Sequence, residues 1–503
     1  MRLVLGDAVV WRRDREAGTC GARRRIGRRG IGGPLMGYFG GLVMRIPDLS
    51  PYVPGSDGPW DARTAAHLLY RAGFGASPSE IERAVSAGLE PTVDSFFSES
   101  PGEEEHFQRT FEDISASMAN FGEPFVLRAW WIHRMVRTSV PLREKLALFW
   151  HGHFATSIGK VENTYLMHRQ IETIRQLAWG NFRELVLAIA RDPAMLVYLD
   201  GESNTKEHPN ENFARELMEL FTCGIGNYSE KDVAEAARAF TGWHREGSEF
   251  RFNPEAHDDD VKRILGRSGR FDGSDVVDIL MQHAATPRFM ARKLLRFFAT
   301  AEPADSAVDS AAESLDRAQL HIKWFLRDLF LSKYFFSDEC RGKRIASPVE
   351  FVVGAVRTLG VRIPAFELAE RVAAMGQELL APPNVKGWDG EQKWINSSTW
   401  PARVAFAEQI AGLFSDNPFG PHLDLPTLVP PDVTDPNAIV DRLAGLLMAA
   451  PLAADTRRDL SEFLITTDEG KRPDLFRDDP DFRADRTRAV LGMLLGLPEF
   501  HNC

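Results

Sequence analysis

Apolar residues along this chain recur mostly at intervals of three and four, the spacing that gathers them on one face of a helix. Helix punctuation agrees. "SPSE" at 77–80 and "SPVE" at 347–350 each offer Ser as N-cap, Pro at the first helical position and Glu three residues on, a capping box with its favoured proline. "DPAM" (192–195) and "TPRF" (286–289) have the same cap-plus-proline start, and Gly360, after "VEFVVGAVRTL", is placed to stop a helix. Strand signal is sparse: "GWHREGSEFRFNP" (242–254) predicts one short hairpin, and little else alternates. The expected fold is mainly α, a multi-helix globular bundle with at most that hairpin.

Segments 300–310 and 416–436, rich in Pro, Asp and Ala, predict loops or joints. They divide the helical body into parts at 60–300, 311–415 and 435–503, all within one domain. The first part carries the polar motifs. No fixed-period repeat points to a solenoid.

In "HPNENFARELMEL" (208–220), Pro209 predicts a helix start with His208 as N-cap and Glu211 at N3. At about 100° per residue, Glu211, Asn212, Arg215, Glu216 and Glu219 share one arc, and Phe213, Leu217, Met218 and Leu220 take the other side. Carboxylates, an arginine, an amide and a nearby imidazole are the ingredients of acid–base or metal chemistry. The plain alternative is a solvated face, with Glu211 and Arg215 as an i,i+4 pair.

In "PLREKLALFWHGHFATS" (141–157), Leu142, Leu146, Phe149 and His153 form an inward stripe, and His151 falls with Glu144 on the opposite side. The two histidines share a metal only if Gly152 ends the helix. His153 is the better candidate, as a ligand or as a hydrogen-bonded core residue. "HDDD" (257–260) offers His257 and Asp258, for which a solvated turn is the ordinary reading. Trp130, Trp131, Trp388, Trp394 and Trp400 suit core or interface use better than sugar stacking. HExxH, GxSxG and GxGxxG are missing in useful context, and "FATSIGK" (154–160) fails as a phosphate loop.

Composition narrows the class. With 44% apolar and 26% charged residues in 503, the chain is near the globular norm and should bury a sizeable core. No apolar run reaches the roughly 18 residues of a membrane-spanning helix. Four scattered cysteines make neither a disulfide framework nor a zinc ribbon and fit a reducing compartment; Cys223 reads as a small buried hydrophobe. Residues 1–45 hold ten arginines against Asp7, Asp14 and Glu16, a balance of +7, so the net charge of −11 leaves −11 − 7 = −18 on the rest. An acidic body argues against nucleic acid as a partner. The basic head, "GARRRIGRRG" before "IGGPLMGYFGGLVM", resembles an export signal in outline but is crowded with glycine and lacks an A-x-A-like cleavage site. We expect residues 1–45 to be a basic extension, disordered or a mis-assigned start, with translation beginning at Met36 or Met44. The expected location is cytoplasmic, with export the alternative should that stretch be a genuine signal.

These residues, taken with "HLLYRAGFG" (67–75), "NFRELVLAIARDPAMLVYLD" (181–200), "SPVEFVVGAVRTLG" (347–360) and "GQELLAPPNVKGWDGEQKWINSST" (376–399), carry a resemblance. The chain resembles the bacterial family called domain of unknown function 1800 (DUF1800), over roughly residues 60–500. The resemblance implies a large, mainly helical protein, often encoded beside a sulfatase-like companion, and no assigned reaction. Its sharpest motifs fall on His153, on Glu211 to Glu219 and on His257–Asp258. Cys223 stands where leucine is usual, and "HDDDVK" lacks the glycine common before its lysine. The expectation is therefore one cleft in which His153, His208, Glu216, His257 and Asp258 hold a divalent metal (Zn, Mn or Fe) while Glu211, Asn212, Arg215 and Glu219 work as acid–base or orienting groups. Hydrolysis is the expected class. The alternative is a binding or assembly protein, partnered by the sulfatase-like companion, whose polar network is structural.

Overall fold

Local capping chemistry settles many helix starts. Ser77 accepts from the Glu80 amide while the Glu80 carboxylate accepts from the Ser77 amide at 2.8 Å, opening the helix Pro78–Ala87. Ser347 and Glu350 repeat this for Pro348–Leu359, which stops at left-handed Gly360 (φ 65°). Asp192 caps Pro193–Tyr198 by accepting from the Met195 amide at 3.0 Å. At "TPRF" the expected start is two residues late. The helix is Ala285–Phe298, and Thr286, inside its first turn, donates instead to the Leu280 carbonyl.

The computed structural model describes residues 49–98, 105, 123–412 and 423–503. The basic head therefore lies outside the described residues, as does 413–422, which overlaps the expected joint at 416–436. Residues Ile46–Cys503 form one unit around a continuous apolar core. The architecture is mainly α, as expected. The predicted hairpin pairs Trp243–Glu246 with Glu249–Phe252. Two further hairpins, Lys262–Ile264 with Arg267–Gly269 and Thr466–Thr467 with Gly470–Lys471, correct the expectation of at most one. Each is too short to alternate recognisably in sequence. The expected loop at 300–310 is also cut short, because Asp305–Arg317 is helical. Among the described residues no helix is long and apolar enough to cross a membrane.

The helix Pro141–His153 is the hub that positions the site. It is buried on both faces, so the side expected to be polar is also core. Glu144 accepts from Arg175 Nε at 2.7 Å, Arg134 Nε at 3.2 Å and Trp131 Nε1 at 3.2 Å. Although burial works against its charge, the two guanidiniums hold its carboxyl below the usual range. Lys145 pairs at 2.7 Å with Glu350 of the helix Pro348–Leu359, and Glu350 also meets Arg344 at 3.2 Å. Burying such ions costs several kcal/mol each unless every charge is matched, as here. The hub is thereby pinned to three other helices, Pro124–Arg137, Thr164–Leu177 and Pro348–Leu359.

Candidate functional site

The hub helix runs through Gly152 to His153, so the two histidines diverge and cannot chelate one ion together. His151 accepts from the Leu380 amide at 3.2 Å, which ties the helix to the "LAPPNVKGWDG" segment. Gly152 and Gly387 finish that junction. Gly387 has φ +80°, and a Cβ there would collide with the Gly152 carbonyl, so only glycine allows the two backbones to meet. Their meeting opens a cleft of about 330 Å³ lined by His153, Lys293, Arg296, Lys386 and Trp388, with Phe149 in its wall. A second hollow of about 670 Å³ adjoins it and shares Arg296, Asp389, Gly390 and Glu391.

The stretch that opens with His208 contributes through its backbone. The helix does not begin at Pro209. Asn210 accepts from the Asn212 amide at 2.9 Å, a local turn that postpones the helix to Asn212–Glu216. From Leu217 to Thr222 the winding is π-helical, with Cys223 N–H reaching back to the Met218 carbonyl at 3.2 Å. Such turns are rare and often functional, because they offer carbonyls to groups outside the helix. Here the Phe221 carbonyl lies 3.0 Å from His153 Nε2, and the Leu220 carbonyl accepts from Lys293 Nζ at 2.9 Å. A carbonyl only accepts, so Nε2 bears the imidazole hydrogen and Nδ1 is left to accept from Lys293 Nζ, 3.0 Å away. Burial, and then the Lys293 charge, hold His153 well below its ordinary pKa, so it is neutral. Burial and the nearby Arg296 bring Lys293 down to about 7.

The expected site residues occupy several places. Glu216 is half-buried; burial and then the neighbouring Glu219 raise its pKa, while Lys386 opposes the shift, which puts it within electrostatic reach of the cleft lining. Glu219 accepts from Tyr228 Oη at 2.8 Å. Arg215 is shared between Glu211 at 2.9 Å and Glu230 at 2.8 Å, and Asn212 donates to Asp200 at 3.3 Å. His208 is exposed, its backbone bridged to Thr205. His257 is buried rather than solvated, with Nδ1 2.8 Å from the Thr241 carbonyl. Asp258 takes both arms of Arg238, at 2.7 and 3.2 Å. Of the five side chains expected on one metal, only His153 lines the cleft; His208 is exposed, and His257 and Asp258 are bonded elsewhere. Among the described residues no three His, Cys, Asp or Glu side chains are grouped to hold an ion.

A family profile described as protein of unknown function (DUF1800) matches residues 67–502. The chain belongs to the DUF1800 family. No curated protein and no solved structure matches it. In this DUF1800 chain the cleft is lined by the FWHGHF and NVKGWDG blocks together with a lysine that the motifs did not flag, and the turn that follows NENFAREL anchors that lysine and His153 through two carbonyls. Lys293 interrupts the row Phe289, Lys293, Phe297, spaced by four on one helix face, and that cation within an apolar row was its available signal.

Proposed function

We propose that the cleft is the reaction centre of an acid–base enzyme in which Lys293 exchanges a proton with the substrate, or with a water that attacks it. One observation carries the reading: Lys293 lines the cleft, and its Nζ is bound to two groups that only accept, Leu220 O and His153 Nδ1. Two N–H bonds are thereby assigned, and the remaining position on nitrogen holds a proton or a lone pair for use. A pKa of about 7 supplies both forms at neutral pH, the condition in which a general base is most effective. His153 is a positioning residue. A metal bound at its Nδ1 would have to displace Lys293, so the acid–base branch of the original expectation is preferred to the metal branch. Hydrolysis is the simplest reaction such a base can run, and Glu216 fits as a carboxylate that orients Lys386.

Competitive acetylation with acetic anhydride, read by peptide mass spectrometry across pH, tests this. Lys293 should become reactive through a midpoint near 7, and K293M should lower turnover of a panel of 4-nitrophenyl esters and phosphates by about 10²- to 10⁴-fold. A midpoint near the ordinary lysine value of about 10 would overturn the proposal.

A second reading, that of an assembly protein, draws on Arg215 between two glutamates and on Arg238 between Glu235 and Asp258, groups fully engaged with each other. It expects co-purification with a sulfatase-like companion, and loss of that complex in R215L with Lys293 labelling unchanged.

A further inference from the structure

The residues from 46 onward carry a net charge of −18 if the head's +7 is set aside, yet the cleft is lined by an excess of cations. Arg344 is claimed by Glu350 at 3.2 Å and by Glu391 at 3.3 Å, so it cancels against them. Arg296 and Lys386 have no ion pair or side-chain hydrogen bond among the described residues, and Asp389 is the one unmatched acid beside them in the lining. Glu216 approaches Lys386 from outside the lining, which leaves Arg296 as the more available cation. Exposed cations are usually just solvated. These differ because they rim a recess with aromatic walls. Phe149 and Trp388 line it, and the Arg344 guanidinium lies 5.3 Å from the centre of Phe297, which lines it too.

We infer that the cleft binds a small organic oxyanion, a carboxylate or phosphate on a flat ring, with the anion on Arg296 and Lys386 and the ring against Trp388. Arg296 borders both hollows, so the anion sits where they meet and the ring reaches inward toward Lys293. A volume of about 330 Å³ is at the small end of ligand pockets and suits one ring with its substituent. A guanidinium offers a planar pair of donors that matches either oxyanion. In an acidic protein, a cationic hollow with low-dielectric walls also concentrates anions at this point rather than elsewhere on the surface.

The inference rests on the acid–base reading only for the place of the site, and the test lets the two fail separately. The full chain is titrated with phenyl phosphate, benzoate, inorganic phosphate and neutral benzyl alcohol, followed by tryptophan fluorescence and saturation-transfer NMR. Phenyl phosphate or benzoate should bind at least about ten-fold more tightly than benzyl alcohol, and R296Q and K386Q should each remove about that factor. W388A should weaken the aryl anion and leave inorganic phosphate unchanged. A Lys293 acetylation midpoint of about 10 in a protein that still binds the aryl anions would overturn the acid–base reading alone. Equal binding of benzyl alcohol and the aryl anions, equal binding of inorganic and phenyl phosphate, or unchanged affinity in the R296Q/K386Q double variant would each overturn the anion site. Both cations are on the surface, so the variants should fold; matching melting temperatures check this.

Discussion

A buried side chain's chemistry depends on which neighbours reach it, and Asp192 shows this as clearly as Lys293 does. Asp192 accepts from Gln170 Nε2 at 2.7 Å and from the Met195 amide, but it has no cation at contact distance, and burial pushes it up to about 6. Its protonated form is thus favoured by folding. Stability from this group is full below the unfolded value of about 3.9 and is lost as pH rises through about 6. Asparagine caps a helix as well as aspartate does and carries no charge. D192N should therefore gain stability relative to the parent protein between pH 5 and 8, by at most about 3 kcal/mol, with no gain near pH 4. Denaturant melts of both proteins across pH decide it, and a pH-independent difference would count against the account. The capping role of Asp192 was legible because it is local to four residues. The burial of His151 and His257 was not, because Leu380 and Thr241, which receive them, are distant in sequence.

Among elements, helix type and most helix starts followed from capping residues and period. What failed was the winding beyond Glu216 and the docking of segments. A wheel drawn at one fixed angle cannot represent a turn that widens halfway, yet Glu211, Asn212, Arg215, Glu216 and Glu219 all stay out of the core while Phe213, Leu217 and Met218 are buried. The junction at Gly152 and Gly387 is an element-scale feature with a direct test. G387A meets both a left-handed backbone and the Gly152 carbonyl, whereas G266A meets the same φ of +80° with nothing nearby. The backbone alone costs about 1–3 kcal/mol, and forced overlap adds about as much. G387A should thus lower the unfolding free energy clearly more than G266A and should abolish aryl-anion binding. Equal losses would show that the close approach is relaxed in solution.

Across the whole molecule, the class was readable from composition and periodicity, and the family from ordered motif blocks. The convergence of those blocks was not, because contacts such as Lys145 to Glu350 join residues that no local pattern relates. That ion pair, with Arg344, links the hub helix to the cleft wall. Burial opposes the Glu350 charge, but Arg344 and Lys145 prevail and hold its carboxyl far below the usual range. Its contribution is present above an unfolded value of about 4.3 and is lost as pH falls toward the folded one. E350A strands Lys145, leaves Arg344 with Glu391 alone, and should cost about 3–5 kcal/mol at pH 7, a loss that added salt does not mimic because the pair is shielded from solvent. A loss below about 1 kcal/mol in a urea titration would show that the network is not closed.

The widened turn between Leu217 and Thr222 behaves as one surplus residue threaded into a helix. Excising a single position there would let the coil tighten to ordinary pitch and fold the Leu220 and Phe221 oxygens back toward their own strand of amides. Lys293 and His153 would lose both anchors while every side chain of the cleft stayed encoded. A spacing error alone would then undo the arrangement proposed for catalysis.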